Sequence, residues 1–124
     1  MNDQQPSRDK FLINCDHGPS DVERATIAFI LAVTASKTAE TAIFMTSDAA
    51  RLCVKGGAGG QVAEGYEPLA DLMGNFVANG GQIWLCPACA RAKGITAGDL
   101  VAGAEIAGAP RTMAFLVSGA RLLA

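Results

Sequence analysis

Aromatic residues, histidine and positive charge are scarce in this chain, and each scarcity narrows what it can do. Aromatics make up 6% of the residues, with one Trp, one Tyr and five Phe. That leaves little surface on which bases stack. Ten Lys and Arg stand against twelve Asp and Glu, for a net charge of -2, and no basic stripe is present. Nucleic acid is therefore not an expected partner. No apolar run reaches the roughly 18 residues of a membrane span. The longest candidate, Ala25 to Ala35, is interrupted by Thr26 and Thr34. The polar start Met1 to Lys10 has no signal-peptide core. Residues 1–9 are expected to form a disordered lead-in to a cytoplasmic protein, and residues 10–124 one domain. The phosphate-binding pattern G-x-x-x-x-G-K-[ST] is missing, and G-x-G-x-x-G begun at Gly57 fails at Val62. No G-x-S-x-G elbow occurs. Asp48, Glu64, Glu67, Asp71 and Asp99 have no spacing suited to paired acid/base work. No cofactor is expected.

What the chain does hold is apolar. Half of its 124 residues are hydrophobic, and the mean hydropathy is +0.25. That is enough for a real core. It also suggests surface hidden against other subunits. Four cysteines occur without an export signal, so reduced thiols are expected rather than disulfides.

Apolar runs alternate with helical patterns. Phe11 to Cys15, Thr41 to Thr46 and Gln82 to Leu85 or Cys86 read as buried strands. Ser20-Asp21-Val22-Glu23 fits a capping box for a helix from about Asp21 to Ser36. That helix is apolar on several faces and should be covered on more than one side. Ser47-Asp48 caps a short helix to Leu52, before the flexible glycine run Gly56 to Gly60. Leu69, Leu72, Met73, Phe76 and Val77 define the next helix, opened by Pro68 and stopped by Asn79-Gly80-Gly81. A short helix spans Pro87 to Lys93, and a further turn lies within Thr96 to Ala102. An extended piece at Ala104 to Ala107, a helix from Pro110 to Ser118 and an edge strand from Arg121 complete the chain. The expected fold is α/β: a three-layer sandwich of about five mostly parallel strands, flavodoxin-like, with helices on both faces. In a 2-1-3 strand order, strands one and three are neighbours, and their carboxyl ends flank the switch point. Cys15-Asp16-His17 and Cys86-Pro87-Ala88-Cys89 would then share one crevice.

The chemistry centres on Cys86 and Cys89, spaced C-x-x-C where the third strand meets a helix. With Pro87 at the first helical position, Cys86 is the N-cap and Cys89 lies in the first turn. Free N–H groups there, with Arg91 and Lys93 nearby, favour thiolate. Cys15 and His17 are candidates for binding or tuning beside that pair. Together Cys15, His17, Cys86 and Cys89 form a Cys3His set, a lesser alternative as a zinc site. Cys53 is expected to pack. The Gly56 to Gly60 stretch reads either as a mobile loop over the crevice or as a plain surface loop.

From Lys10 to Ala124 the chain resembles the DsrE/DsrF/TusD-like family of small sulfur-relay proteins. The resemblance is carried by Gly18-Pro19, the Ala-rich first helix and Phe44 to Asp48 with its glycine-rich sequel. It is carried most by Leu85-Cys86-Pro87-Ala88-Cys89-Ala90-Arg91-Ala92-Lys93-Gly94-Ile95. Sulfur-carrying members have a cysteine at the position of Cys86, shortly before a basic-Gly-aliphatic turn; Cys89 is an addition to the TusD-type pattern. The resemblance implies an α/β fold, a trimeric or hexameric homo-oligomer or a ring with related subunits, and a persulfide on Cys86 passed between donor and acceptor proteins. Cys89 would either resolve that persulfide or pack. The alternatives are a non-catalytic oligomeric module that binds a ligand or metal, and a dithiol redox protein using Cys86 and Cys89.

Overall fold

In the computed structural model, which describes residues 9–123, five strands form one all-parallel sheet in the order β4-β3-β2-β1-β5. The strands are β1 (Lys10–Cys15), β2 (Glu40–Met45), β3 (Gln82–Leu85), β4 (Ala104–Ile106) and β5 (Arg121–Leu123). The helices are α1 (Val22–Ser36), α2 (Leu69–Ala78), α3 (Pro87–Ala92) and α4 (Ala109–Val117). Short 3-10 turns occupy Pro19–Asp21, Ser47–Leu52 and Ala97–Asp99. The expected α/β class, parallel sheet and strand count hold. Residues 1–8 of the expected lead-in lie outside the described residues. Asp9 is anchored: its carbonyl accepts the Glu40 N–H at 3.0 Å, and its carboxylate meets Arg121 at 2.9 Å.

The strand order differs from the 2-1-3 expectation, because β2 rather than β1 is central. The steps from β1 to β4 all run in one direction across the sheet. Right-handed crossovers therefore place α1, α2 and α3 on one face. The return from β4 to β5 puts α4 on the other. The reversal in strand order lies beside β1 and not between β1 and β3.

Strand alternation divides the core accordingly. Ile13, Cys15, Ile43, Met45, Ile83 and Leu85 face α1 and α2, where Phe29 and Phe76 meet edge to face at 6.0 Å. Leu12, Ala42 and Trp84 face α4, where Trp84 packs on Phe115 at 5.4 Å. The α2 stripe is internal: Leu69, Leu72, Met73 and Phe76 are buried. The α1 helix is not covered all round, since Ile27, Ile30 and Leu31 are 41, 37 and 40% exposed. Ser20 does not cap α1. The Asp48 carboxylate takes its N–H and hydroxyl at 2.9 and 2.7 Å, and Asp21 becomes the cap, accepting the Arg24 N–H. Among the described residues, no helix is long and apolar enough to cross a membrane.

Candidate functional site

The strand β3 ends where the chain cannot continue the ladder. Pro87 has no N–H to donate, and it holds the preceding Cys86 in an extended conformation, φ -56° and ψ 126°. The same proline is preorganised for the first position of α3. Cys86 is pinned by its own N–H, which donates to the Met45 carbonyl at 3.1 Å. The far end of α3 is equally determined. Gly94 is left-handed at φ 67°, and Ile95 N–H closes on the Ala90 carbonyl at 2.8 Å while Gly94 N–H reaches Arg91 at 3.2 Å. This is a Schellman closure, and it is the physical form of the Lys93-Gly94-Ile95 turn. The thiol-bearing helix is thus fixed at both ends by a proline and a glycine.

Cys86 and Cys89 are both half-exposed and reduced. Partial burial acts to raise the Cys86 thiol. It is outweighed by the Cys89 N–H, the Cys89 thiol, the Ala88 N–H and the Arg91 charge, so the net shift is downward. Cys86 makes no formed side-chain cap bond, so the N–H contributions are electrostatic, from donors aimed at the sulfur rather than tightly bonded to it. Cys89 has a firmer anchor, because its sulfur accepts the Ser47 N–H at 3.2 Å. Ser47 is the one non-glycine residue with positive φ, at 52°, among the described residues. Such a conformation is uncommon outside glycine, asparagine and aspartate. It lies two residues past the end of β2 and turns its amide toward Cys89 of α3. No sequence pattern marks it, since Ser47-Asp48 reads as an ordinary helix start.

The turn that carries Ser47 is braced from the β1 side. Asp48 holds Ser20 and also meets Arg51 Nε at 3.2 Å. The Ser20 N–H, the Ser20 hydroxyl and Arg51 together outweigh slight desolvation and hold the Asp48 carboxyl below the usual range. Gly18 is required by close approach: a Cβ there would lie 2.1 Å from the Asp48 carbonyl oxygen.

The expected crevice joining Cys15 and His17 to Cys86 is not formed. Strand β2 separates β1 from β3, and two strand spacings amount to about 10 Å. The Cys15 side chain turns into the core, donating to the His17 carbonyl at 3.3 Å. Burial pushes its thiol up to about 11, the His17 backbone N–H offsetting this in part and Asp16 adding to it. His17 pairs with Asp16 at 3.2 Å. Both line a separate cavity of about 340 Å³ with Arg24 and Ile27. Neither Cys15 nor His17 figures among the groups that shift Cys86. The Cys3His set is likewise not assembled. Among the described residues, no three His, Cys, Asp or Glu side chains are placed to share a metal ion. Cys53 is buried in the core, and burial, with a smaller effect of Cys15, pushes its thiol up to about 12. The glycine run does not lie over Cys86: Gly56 and Gly59 border an apolar cavity of about 560 Å³ with Met73, Val77, Ile83 and Val101.

The fold has known counterparts. The fold matches YchN from E. coli with a TM-score of 0.66 at 20% identity, over 94% of this chain and 100% of that one. It matches MTH1491 of Methanobacterium thermoautotrophicum, a protein of unknown function, with a TM-score of 0.62 at 14% identity, over 95% and 98%. At such identities the likeness is one of fold. In sequence, the chain is 33% identical over 107 residues to the uncharacterized protein MJ0760 of Methanocaldococcus jannaschii. The match covers 86% of this chain but 38% of that protein, so the chain spans about two fifths of its curated relative. A model of the DsrE/DsrF-like family matches residues 9–124. With every described residue inside that match, the chain belongs to the DsrE/DsrF-like family.

Proposed function

We propose that this protein is a sulfur-relay carrier that accepts sulfane sulfur as a persulfide on Cys86 and passes it on. The observation that carries this reading is the contrast among the four thiols. Cys15 and Cys53 are buried and held protonated, whereas Cys86 is accessible and shifted toward thiolate. A thiolate with access is what thiol exchange requires. The Cys86 thiolate attacks the outer sulfur of a donor persulfide, and the donor thiolate leaves. The Cys86 persulfide then yields its terminal sulfur to an acceptor thiolate, and Cys86 leaves as thiolate. Arg91 tunes the leaving and attacking sulfur.

Donor and acceptor are proteins that carry thiols, in a reducing cytoplasmic setting. The half-exposed Ile27, Ile30 and Leu31 of α1 supply apolar surface for a homo-oligomer of the trimeric or hexameric kind. The test is mass spectrometry after treatment with a persulfide donor. One added sulfur, absent from Cys86→Ser, is the expected result. No adduct on Cys86 under conditions that load a persulfide-forming control thiol overturns the reading. A second reading, a non-catalytic ligand-binding module, is favoured by the apolar cavity beside Met73 and Val77, whose volume is of the size that holds small ligands. Binding of an apolar fluorescent probe that Val77→Trp abolishes, together with an unreactive Cys86, would support it instead.

A further inference from the structure

Cys89 is the side chain that one-thiol sulfur transfer leaves without a task. It sits three residues after Cys86, at the third position of α3. Across that spacing an N-cap side chain and the third helical residue reach back toward each other, the geometry that a capping box exploits. Cys89 is also held from outside its own helix, by the Ser47 N–H at 3.2 Å. That amide is aimed by a left-handed serine. Cys89 packs against the edge of the core but is only half-buried, and the amide that reaches its sulfur comes from an exposed residue. A cysteine that served only as filler needs no amide directed at its sulfur.

We propose that Cys89 discharges the Cys86 persulfide within the same chain, so that the protein reduces sulfane sulfur to sulfide. This rests on the carrier reading of Cys86. In the step, the Cys89 sulfur gives up its proton and attacks the inner sulfur, Cys86 Sγ. The bond from Cys86 Sγ to the terminal sulfur breaks, and that sulfur leaves with the electron pair and a proton as HS⁻. A Cys86–Cys89 disulfide remains. The sulfane sulfur is reduced and the two thiols are oxidised, with no other reactant. An external dithiol resets the pair by thiol–disulfide exchange, taking the disulfide onto itself. The Ser47 amide anchors the Cys89 sulfur on the side of α3 that carries Cys86. An intermolecular acceptor and Cys89 therefore compete for the same persulfide, and acceptor concentration decides whether sulfur is relayed or released.

The experiment loads reduced full-length protein with inorganic polysulfide, removes the excess by rapid desalting, and follows free sulfide and intact mass without added reductant. The wild type is expected to release about one equivalent of sulfide per loaded chain and to end two hydrogens lighter than the reduced protein. Cys89→Ser is expected to load equally, to keep its added sulfur, and to release sulfide at least ten-fold more slowly. Cys89→Ala serves as a second variant, in case serine perturbs the Ser47 contact. A wild-type persulfide as long-lived as that of both variants overturns the proposal while leaving the carrier reading intact. Equal sulfide release from wild type and variants also overturns it. Failure of Cys86 to load at all refutes the carrier reading itself.

Discussion

The four cysteines should react with an alkylating agent in an order set by the fold, and the gap between them can be worked out. Burial takes the Cys15 thiol from 9.0 to about 11 and the Cys53 thiol from 9.0 to about 12. At pH 7 these shifts lower the thiolate fraction about 100-fold and about 1,000-fold against an ordinary cysteine. The more basic thiolate is the better nucleophile, with a Brønsted slope of about 0.4–0.5, which restores roughly six- to ten-fold and sixteen- to thirty-fold respectively. Ionisation alone thus leaves Cys15 about ten- to sixteen-fold and Cys53 about thirty- to sixty-fold slower than an ordinary thiol. Both side chains are also nearly inaccessible, at 1 and 0% exposure. Their reaction further requires an opening of the core, and the true gap is larger. Cys86 shifts the other way, so it should react faster than the same cysteine in the unfolded chain, with a pH midpoint below it. Competitive iodoacetamide labelling with peptide mapping reads all of this. Tryptic cleavage separates Cys15 and Cys53 onto their own peptides, and fragmentation distinguishes Cys86 from Cys89. Labelling of Cys15 or Cys53 in the folded protein at the rate of Cys86 would refute the assignment of burial and charge.

Three further outcomes follow from the same geometry. Arg91→Ala should raise the pH midpoint of Cys86 labelling while leaving thermal unfolding nearly unchanged, because Arg91 is exposed and acts by charge; Arg91→Lys should retain the lower midpoint, and an unmoved midpoint in the alanine variant removes Arg91 as a tuning group. The buried thiols should weaken the protein in alkali. Their folded pKa values lie above the unfolded one, so their contribution is fully present below about pH 9 and is lost as pH rises toward 11 for Cys15 and 12 for Cys53, at about 1.4 kcal/mol per pH unit for each thiol; urea unfolding from pH 8.5 to 10.5 should show that slope, and Cys15→Ala with Cys53→Ala should lose it. Gly18→Ala should cost about 1–3 kcal/mol, since its Cβ would fall 2.1 Å from the Asp48 carbonyl oxygen and force the Ser47 turn to move; an unchanged urea midpoint would mean that the loop after β1 is not the brace described above.

What could be read from the sequence, and what could not, divides along local and non-local physics. The α2 helix was legible because Leu69, Leu72, Met73 and Phe76 recur at helical spacing and are buried. The thiol-bearing junction was legible because Pro87 and Gly94 act on their immediate neighbours. Strand order was not, because β1 and β2 are both continuous apolar runs and nothing within either says which one lies in the middle. That ambiguity misplaced Cys15 and His17 relative to Cys86. Putting β2 at the centre separates Cys15 and His17 from Cys86 and puts the Ser47 turn beside Cys89 instead. The capping box failed for a related reason: Ser20 had a local partner in Glu23 but a better one in Asp48, 28 residues away.

The consequence for the site is that the second thiol, and not the histidine, is what the fold brings to Cys86. An imidazole beside the nucleophile would serve as a base and leave a single-thiol carrier dependent on its partners for every step. On the carrier reading proposed above, a thiol three residues on, held by an amide from the neighbouring strand's turn, would offer a persulfide on Cys86 a second outlet inside the same chain. The turn that does this is built from residues contributed by three crossovers: Gly18 and Ser20 after β1, Ser47 and Asp48 after β2, and Cys86 and Cys89 after β3. A substitution at Gly18 therefore reaches Cys89 through two contacts without touching α3. Persulfide lifetime in Gly18→Ala, measured where the variant is still folded, reports on that coupling: a longer lifetime than wild type is expected if the Ser47 amide moves away from Cys89, and an unchanged one means that the amide holds its place independently of the brace.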